Sequence, residues 1–409
     1  MANKVFALTG VTGFFGRNVF FEIVKDNLHQ LDSIELIILG RSSAQQTLSE
    51  RMKDIFFNDG LDYLAASSDK LPELKVFFDT KVHFVNIELT NDELISNDEL
   101  NKLKGKTIHY FMHLAAFSNF KNSAENIAKL HQINVKGTEN LLNLVSKLDV
   151  KEFDYVSTAY VCGATYNEIQ PDYVNLDQKF RNPYERSKLQ AEILVKAYQD
   201  RTGLRCRIFR PTTISGRLLE NEIGAIPKFD VFYGWAAFFL HWKTMVCKNN
   251  TESIYDEELE VKLRVLADLN SGINIIPVDF AAKILYQTCI QNLEGDYFHL
   301  VNEEETPTEW CVQQIFKVLN ITGYSFVDKM PKDLNNLEST YHNVVGVFLT
   351  PYLIQEKIKF NTDNLQALYK KLNLFCPEVE ETKLEILLNF AKSKNFGLPL
   401  KPAYSEKMY

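Results

Sequence analysis

The sequence predicts an α/β chain built on a doubly wound parallel sheet, with a smaller lobe after it, and three observations carry that prediction. Short β-branched runs alternate with helix-period runs from residue 4 to about 215, the rhythm of parallel strands joined by crossover helices. The first strand-to-helix turn reads Thr9-Gly10-Val11-Thr12-Gly13-Phe14-Phe15-Gly16, a glycine spacing that lets backbone N–H groups close around a pyrophosphate at a helix N-terminus. After Gly216 the chain turns aromatic and then acidic, which marks a second unit.

The first strand is the apolar run Val5 to Leu8, and the helix after it places Val19, Phe20, Ile23 and Val24 on one face. Further strand-like runs follow at 34–39, 82–85, 108–112, 153–156 and 207–209. Residues 42–81 are too many for an ordinary crossover and carry Met52, Ile55, Phe56, Leu61 and Leu64 at helical spacing, which predicts an inserted helical hairpin. On this pattern residues 1–215 form the nucleotide-binding domain. Residues 216–409 form a substrate-binding lobe with a helical C-terminal extension, interleaved with the first domain around 273–302. The apolar segment 231–240 is about half the length that spans a bilayer, so it is a pocket wall, a core helix or an interfacial surface. Leu365, Leu368, Tyr369 and Leu372 predict helices packed on the lobe, and 398–409 reads as a loose tail.

Composition narrows the function classes. The 409 residues are 45% hydrophobic with a net charge of −8, and no Lys/Arg cluster offers a nucleic-acid footprint. Six dispersed cysteines contain no C-x-x-C pair, so neither a metal site nor a disulfide framework is expected, and reduced thiols suit a cytoplasmic protein. The chain enters a strand within its first residues, so no cleaved secretion signal is expected there.

The chemistry sits in Tyr184-Glu185-Arg186-Ser187-Lys188. Tyrosine and lysine four apart on a helix share a face, and an ammonium there lowers the phenol toward the working pH. Such a tyrosine exchanges a proton with a carbonyl or hydroxyl oxygen, and Thr158, ending a strand, donates a hydrogen bond to the same oxygen. The second strand ends Leu39-Gly40-Arg41 with no acid for a ribose 2′-hydroxyl, which predicts a 2′-phosphate paired with Arg41, assisted by Arg17, and hence NADP(H).

The ordered set of Gly10-x-x-Gly13-x-x-Gly16, His113-Leu114-Ala115-Ala116, Asn134-Val135-Lys136-Gly137-Thr138, Val156-Ser157-Thr158, Tyr184-x-x-x-Lys188 and Arg210-Pro211-Thr212-Thr213 resembles the extended short-chain dehydrogenase/reductase superfamily over about residues 4–300. Val156 to Val161, Asn182-Pro183-Tyr184, Ile276-Pro277-Val278-Asp279 and Tyr297 to Asn302 are similar to its branch of fatty acyl-CoA reductases and thioester reductase domains. The resemblance implies a Rossmann-type fold with a Thr158, Tyr184 and Lys188 triad, and Asn134 positioning the lysine through a water. It implies a pyrophosphate held by Gly10, Thr12, Gly13, Phe14, Phe15 and Gly16, and adenine near Glu88, where the family usually has Asp. Leu114, Ala115 and Ala116 would line the cofactor, and Pro211, Thr212 and Thr213 would meet the nicotinamide.

The implied activity is NADPH-dependent reduction of an acyl thioester, on coenzyme A or a carrier protein, to aldehyde or alcohol. Alternatives are a sugar-nucleotide epimerase, a hydroxysteroid-type alcohol dehydrogenase or ketoreductase, and a non-catalytic NADP-binding sensor. Ala159-Tyr160 stands where related dehydratases carry Asp-Glu, which argues against dehydration. The aromatic segment, with Trp235 and Phe239, is the expected acyl site.

Overall fold

A computed structural model of the protein describes residues 3–91, 93–165, 167–247 and 253–399; from residue 400 onward the expected tail lies outside the described residues. Seven strands form one parallel sheet: β1 (Lys4–Thr9), β2 (Ile34–Gly40), β3 (Val82–Asn86), β4 (Tyr110–His113), β5 (Glu152–Val156), β6 (Arg205–Pro211) and β7 (Tyr297–Leu300), in the order β7-β6-β5-β4-β1-β2-β3. Every pairing is parallel, with Leu8 of β1 opposite Ile38 on one side and Met112 on the other. β1 and β2 are buried on both faces, which is why they read as near-continuous apolar runs, whereas β5, equally buried, alternates Glu152 and Asp154 with Phe153 and Tyr155.

One face of the sheet carries α1 (Phe14–Asp26), where Phe20 and Ile23 share a core with Phe6, Leu8 and the residues of the 42–81 insertion. That insertion folds as α2 (Leu48–Ile55) and α3 (Leu71–Lys81) with short helical segments, Phe56–Gly60 and Leu61–Leu64 among them, in between; Thr47 and Glu50 close a capping box at the start of α2. On the other face α4 (Gly137–Val145) and α5 (Pro183–Thr202) cover Ala7, Ile37, Phe111 and Tyr155. Asn182 caps α5 by accepting from the Glu185 N–H at 3.1 Å, and Pro183 presets the first turn. A buried bidentate pair, Arg210 of β6 with Glu192 of α5 at 3.1 and 2.6 Å, pins this helix to the sheet.

The second lobe holds α6 (Phe232–Val246), a parallel pair of strands at Leu259–Leu266 and Ile321–Val327, and helices Thr308–Leu319 and Glu381–Ser393 around their own core. Two connections run back into the main sheet. Helix α7 (Val278–Ile290) packs Phe280 and Ile284 against the α1 side, and β7 pairs with β6 at the sheet edge. Buried Asp279, at the head of α7, accepts N–H bonds from Leu218, Leu219 and Glu220 at 3.0, 2.6 and 2.8 Å, holding the chain as it leaves the sheet. Helix α8 (Val347–Leu353) lies over the N-terminal end of α5. The six cysteines are free thiols, and Arg207 ion-pairs with Glu152 and lies 3.9 Å from Asp154 in the one cluster of metal-type ligands among the described residues. Among those residues no helix is long and apolar enough to cross a membrane.

Candidate functional site

The glycine turn is shaped by close approach. Gly10 holds a φ of +75°, and a Cβ there would lie 2.5 Å from the Ala115 backbone nitrogen; at Gly16 a Cβ would lie 2.3 Å from the Gly10 carbonyl oxygen. No side chain caps α1 at Gly13, so the first N–H groups of the helix stay available for an anion. Two cavities meet at this turn, sharing Gly10, Gly13, Leu114 and Ala116.

One cavity, of about 330 Å³, runs past Thr12 and Ala115 to Arg41, Glu88 and Arg51. The Arg41 guanidinium is largely exposed and stands 3.7 Å from the Glu88 carboxylate, while Arg51 donates to the Arg41 carbonyl oxygen at 3.1 Å. Glu88 also accepts from the Thr90 hydroxyl at 2.9 Å. An elongated dinucleotide fits this pair of cavities: tight glycines at the middle, cations at one end, and the buried Ser157 hydroxyl, with no protein partner, in the wall of the other.

The second cavity, of about 360 Å³, brings together Phe14, Phe15, Thr158, Tyr184, Lys188, Pro211, Thr212 and Thr213. Thr158 follows β5 in extended backbone; its hydroxyl accepts from the Tyr160 N–H at 3.3 Å and donates to the Pro211 carbonyl at 3.3 Å. Lys188 is fully buried, donates to the Val156 carbonyl at 2.7 Å and lies 4.1 Å from the centre of the Tyr155 ring. Burial lowers this amine to about 7 even though Glu192 opposes the shift. Asn134 sits behind the wall, accepting from the Phe117 N–H at 2.8 Å and donating to its carbonyl at 2.9 Å and to Ser187 at 3.0 Å, which ties the loop after β4 to α5.

Three expectations are corrected. Arg17 faces away from the adenosine end: it pairs with Asp59 at 3.3 Å and donates to the Thr12 carbonyl at 3.0 Å, beside Arg217, which takes the other Asp59 oxygen at 2.6 Å. Arg51 occupies the place expected of it. Trp235 and Phe239 are each 1% exposed and pack against Tyr341 and Phe316 in the second core, so α6 turns these rings inward and neither lines the catalytic cavity. Finally, the Tyr184 phenol is raised above its ordinary value, first by burial and then by neighbouring Glu185, and the Lys188 amine bonds the Val156 carbonyl.

Sequence reasoning missed part of the wall. Tyr160, Glu185 and, from the distant C-terminal extension, Tyr352 all line the second cavity. Tyr352 donates to Glu185 at 2.7 Å and accepts from Asn182 at 2.7 Å, and Arg181 lies against the rings of both Tyr160 and Tyr352. Glu185 stood beside the tyrosine in plain view; nothing local pointed to Tyr352, 167 positions away.

The sheet order, the glycine turn and a dinucleotide-shaped cavity at the C-terminal strand ends are those of an oxidoreductase of the extended short-chain dehydrogenase/reductase class, which binds a nicotinamide cofactor. Within that class the chain belongs to the male sterility protein family, whose family model matches residues 8–285. The Arabidopsis thaliana protein named Probable fatty acyl-CoA reductase 5 is 29% identical over 355 residues, covering 74% of this chain and 66% of the relative. UDP-glucose 4-epimerase of Mycoplasma genitalium is 27% identical over 213 residues, 44% of this chain and 62% of the relative. The chain spans about half or less of several curated relatives that it matches, from 7% to 48% of their length. Among solved structures, the terminal R domain from the myxalamid PKS-NRPS biosynthetic pathway superposes with a TM-score of 0.67 at 20% identity, covering 98% of this chain and 93% of that one, a likeness of fold.

Proposed function

We propose that the protein is an NADPH-dependent reductase of acyl thioesters, carried on coenzyme A or on a carrier protein, yielding aldehyde or alcohol. The observation that carries the reading is the meeting of Thr158, Tyr184 and Lys188 in one cavity with Pro211, Thr212 and Thr213, where Phe120, Tyr160 and Tyr352 add three aromatic rings to the wall. The fatty acyl-CoA reductase relative favours the same substrate class.

The glycine turn would hold the cofactor, with Arg41 and Arg51 placed to meet a phosphorylated ribose, and the bound cofactor would supply the hydride. The chain's own residues manage the oxygen. Thr158 exchanges its long bond to the Pro211 carbonyl for the substrate carbonyl oxygen. As the carbonyl carbon becomes tetrahedral, the oxyanion is met by the Thr158 hydroxyl and takes the Tyr184 proton to give a hemithioacetal; the Tyr184 phenolate takes that proton back as the C–S bond breaks, leaving the aldehyde and a thiolate that is protonated from solvent. A phenol kept protonated by burial and by Glu185 suits this direction, because it enters the reaction as a donor. Lys188 would hold the ribose hydroxyls by giving up its bond to the Val156 carbonyl. Asn134 acts through position alone, fixing the loop and helix on either side.

The test is NADPH consumption over a panel of acyl-CoAs, carrier-bound acyl groups, aldehydes and UDP-sugars, with products identified by mass spectrometry. Turnover of acyl thioesters to aldehyde or alcohol is the expected result. Epimerised UDP-sugar with no reduced acyl product, or tight NADPH binding without oxidation of any substrate, would replace the reading by an epimerase or a sensor.

A further inference from the structure

Beside the catalytic cavity lies a second hollow of about 340 Å³, between the start of α6 and the segment that leads into α8. The two share Ser118, Phe120, Lys228, Asp230 and Val231, so they form one continuous cleft. Phe120 stands at the junction, its ring 5.6 Å from that of Tyr184 and 6.4 Å from that of Tyr352. The polar residues of the hollow, Ser118, Asn119, Lys121, Lys228 and Asp230, belong to the two loops at this junction. Its other walls are apolar: Phe229, Val231, Val345, Phe348 and Leu349, with Gly234 on the floor.

Gly234 is the third residue of α6, a place where glycine is a poorer helix former than alanine, so helix stability does not account for it. Neither does crowding. A Cβ at this position would meet a single atom within 4 Å, the Phe229 carbonyl oxygen at 3.4 Å, an ordinary contact. By contrast, Cβ atoms at Gly10 or Gly16 would collide with backbone. What the missing side chain leaves behind is space, and that space is the floor of the hollow.

We propose that this hollow receives the apolar tail of the substrate, and that Gly234 sets the length and bulk of tail admitted. The inference rests on the acyl-thioester reading above. A carbonyl held at Thr158 and Tyr184 leaves its acyl chain to run past Phe120 and Val231 to apolar walls, whereas the polar arm of a thioester finds its partners, Asn119, Lys121 and Lys228, on the loops at the junction. The tail therefore takes this branch, and burial of its methylenes against Phe348 and Leu349 supplies the discrimination. Trp235, the neighbouring residue on α6, points into the core, so the same helix presents packing on one side and the substrate floor on the other.

The experiment compares kcat/KM for acetyl-, octanoyl- and palmitoyl-CoA, and for octanal and hexadecanal, in the wild type, Gly234→Leu and Phe348→Ala, with NADPH affinity and melting temperature read alongside. Gly234→Leu lowers the palmitoyl-to-acetyl ratio by about tenfold or more, the scale of one or two methylenes refused by an apolar pocket, and lowers hexadecanal against octanal in step. Phe348→Ala, which opens the far wall, moves the ratio the other way and decides the matter even if Gly234→Leu folds poorly. An unchanged chain-length profile in both variants overturns the proposal while leaving the reductase reading intact. So does an equal loss for every acyl-CoA with the free aldehydes spared, because the hollow would then hold the coenzyme A arm. A wild type that reduces no acyl substrate overturns the reductase reading, and this inference with it.

Discussion

Replacing Arg41 by alanine separates the two nicotinamide cofactors, and the structure sets the size of the effect. The Arg41 side chain is 74% exposed and its pairing with Glu88 spans 3.7 Å. An exposed pair of this kind is worth about 0–1 kcal/mol, so turning Arg41 from Glu88 to a 2′-phosphate costs little and removing it barely touches stability. A hydrogen bond to a charged group contributes about 1.5–3 kcal/mol, and exposure places Arg41 at the lower end. With Arg51 still lining the same end of the cavity, the NADPH dissociation constant should rise about tenfold, and that for NADH should stay within a factor of about two. Titration of nicotinamide fluorescence measures both constants. Glu88→Gln provides the opposite sign: with its carboxylate neutralised, NADPH should bind more tightly and NADH should not change. Equal weakening of both cofactors by Arg41→Ala, or none, would refute the assignment of the 2′-phosphate to this end of the cleft.

Tyr184→Phe keeps the ring against Phe120 and loses the proton, so single-turnover reduction should slow by about 10²–10⁴ with NADPH affinity retained; near-full turnover would remove Tyr184 from the chemistry. Lys188, held at about 7 by burial, becomes protonated if the cofactor ribose takes its bond, so NADPH binding at about pH 8 should take up a proton, fade in this respect well below pH 7, and weaken as pH rises. Calorimetry in buffers of different ionisation enthalpy reads the uptake, and Lys188→Met should abolish it. Trp235→Ala should cost about 3–5 kcal/mol of stability, seen as a lower melting temperature, while the cofactor affinity of the folded fraction stays unchanged.

The strands, the glycine turn and the triad could be read from sequence because each is a local pattern: apolar runs bounded by turns, three glycines within seven residues, and two side chains one helical turn apart. What could not be read depends on partners far along the chain. Arg17 is claimed by Asp59 in the inserted hairpin and sits beside Arg217 of the second lobe, and neither neighbour is visible from the first helix. An aromatic run looks the same whether it packs inward or faces substrate; Trp235 and Phe239 proved to be core, and the glycine between them and Val231 faces the cleft. The Tyr184–Lys188 spacing predicts a shared face, but the Val156 carbonyl, 32 positions before the lysine, decides where its ammonium goes.

The placement of β7 governs how this protein can be made by a cell. Strand β6 ends at Pro211, and its outer neighbour, Tyr297–Leu300, leaves the ribosome only after much of the second lobe has been synthesised. At about 5–20 residues per second this delay lasts several seconds, during which the backbone of β6 is an unpaired edge and α1 lacks the Phe280 and Ile284 cover of α7. Nascent chains stalled or cleaved near residue 215 should therefore associate with chaperones or with one another, and an engineered fragment ending there would inherit the same open edge. Splitting the chain where its composition changes leaves the main sheet without its outer strand, and a cut after Leu300 would instead part Leu259–Leu266 from Ile321–Val327 in the second lobe.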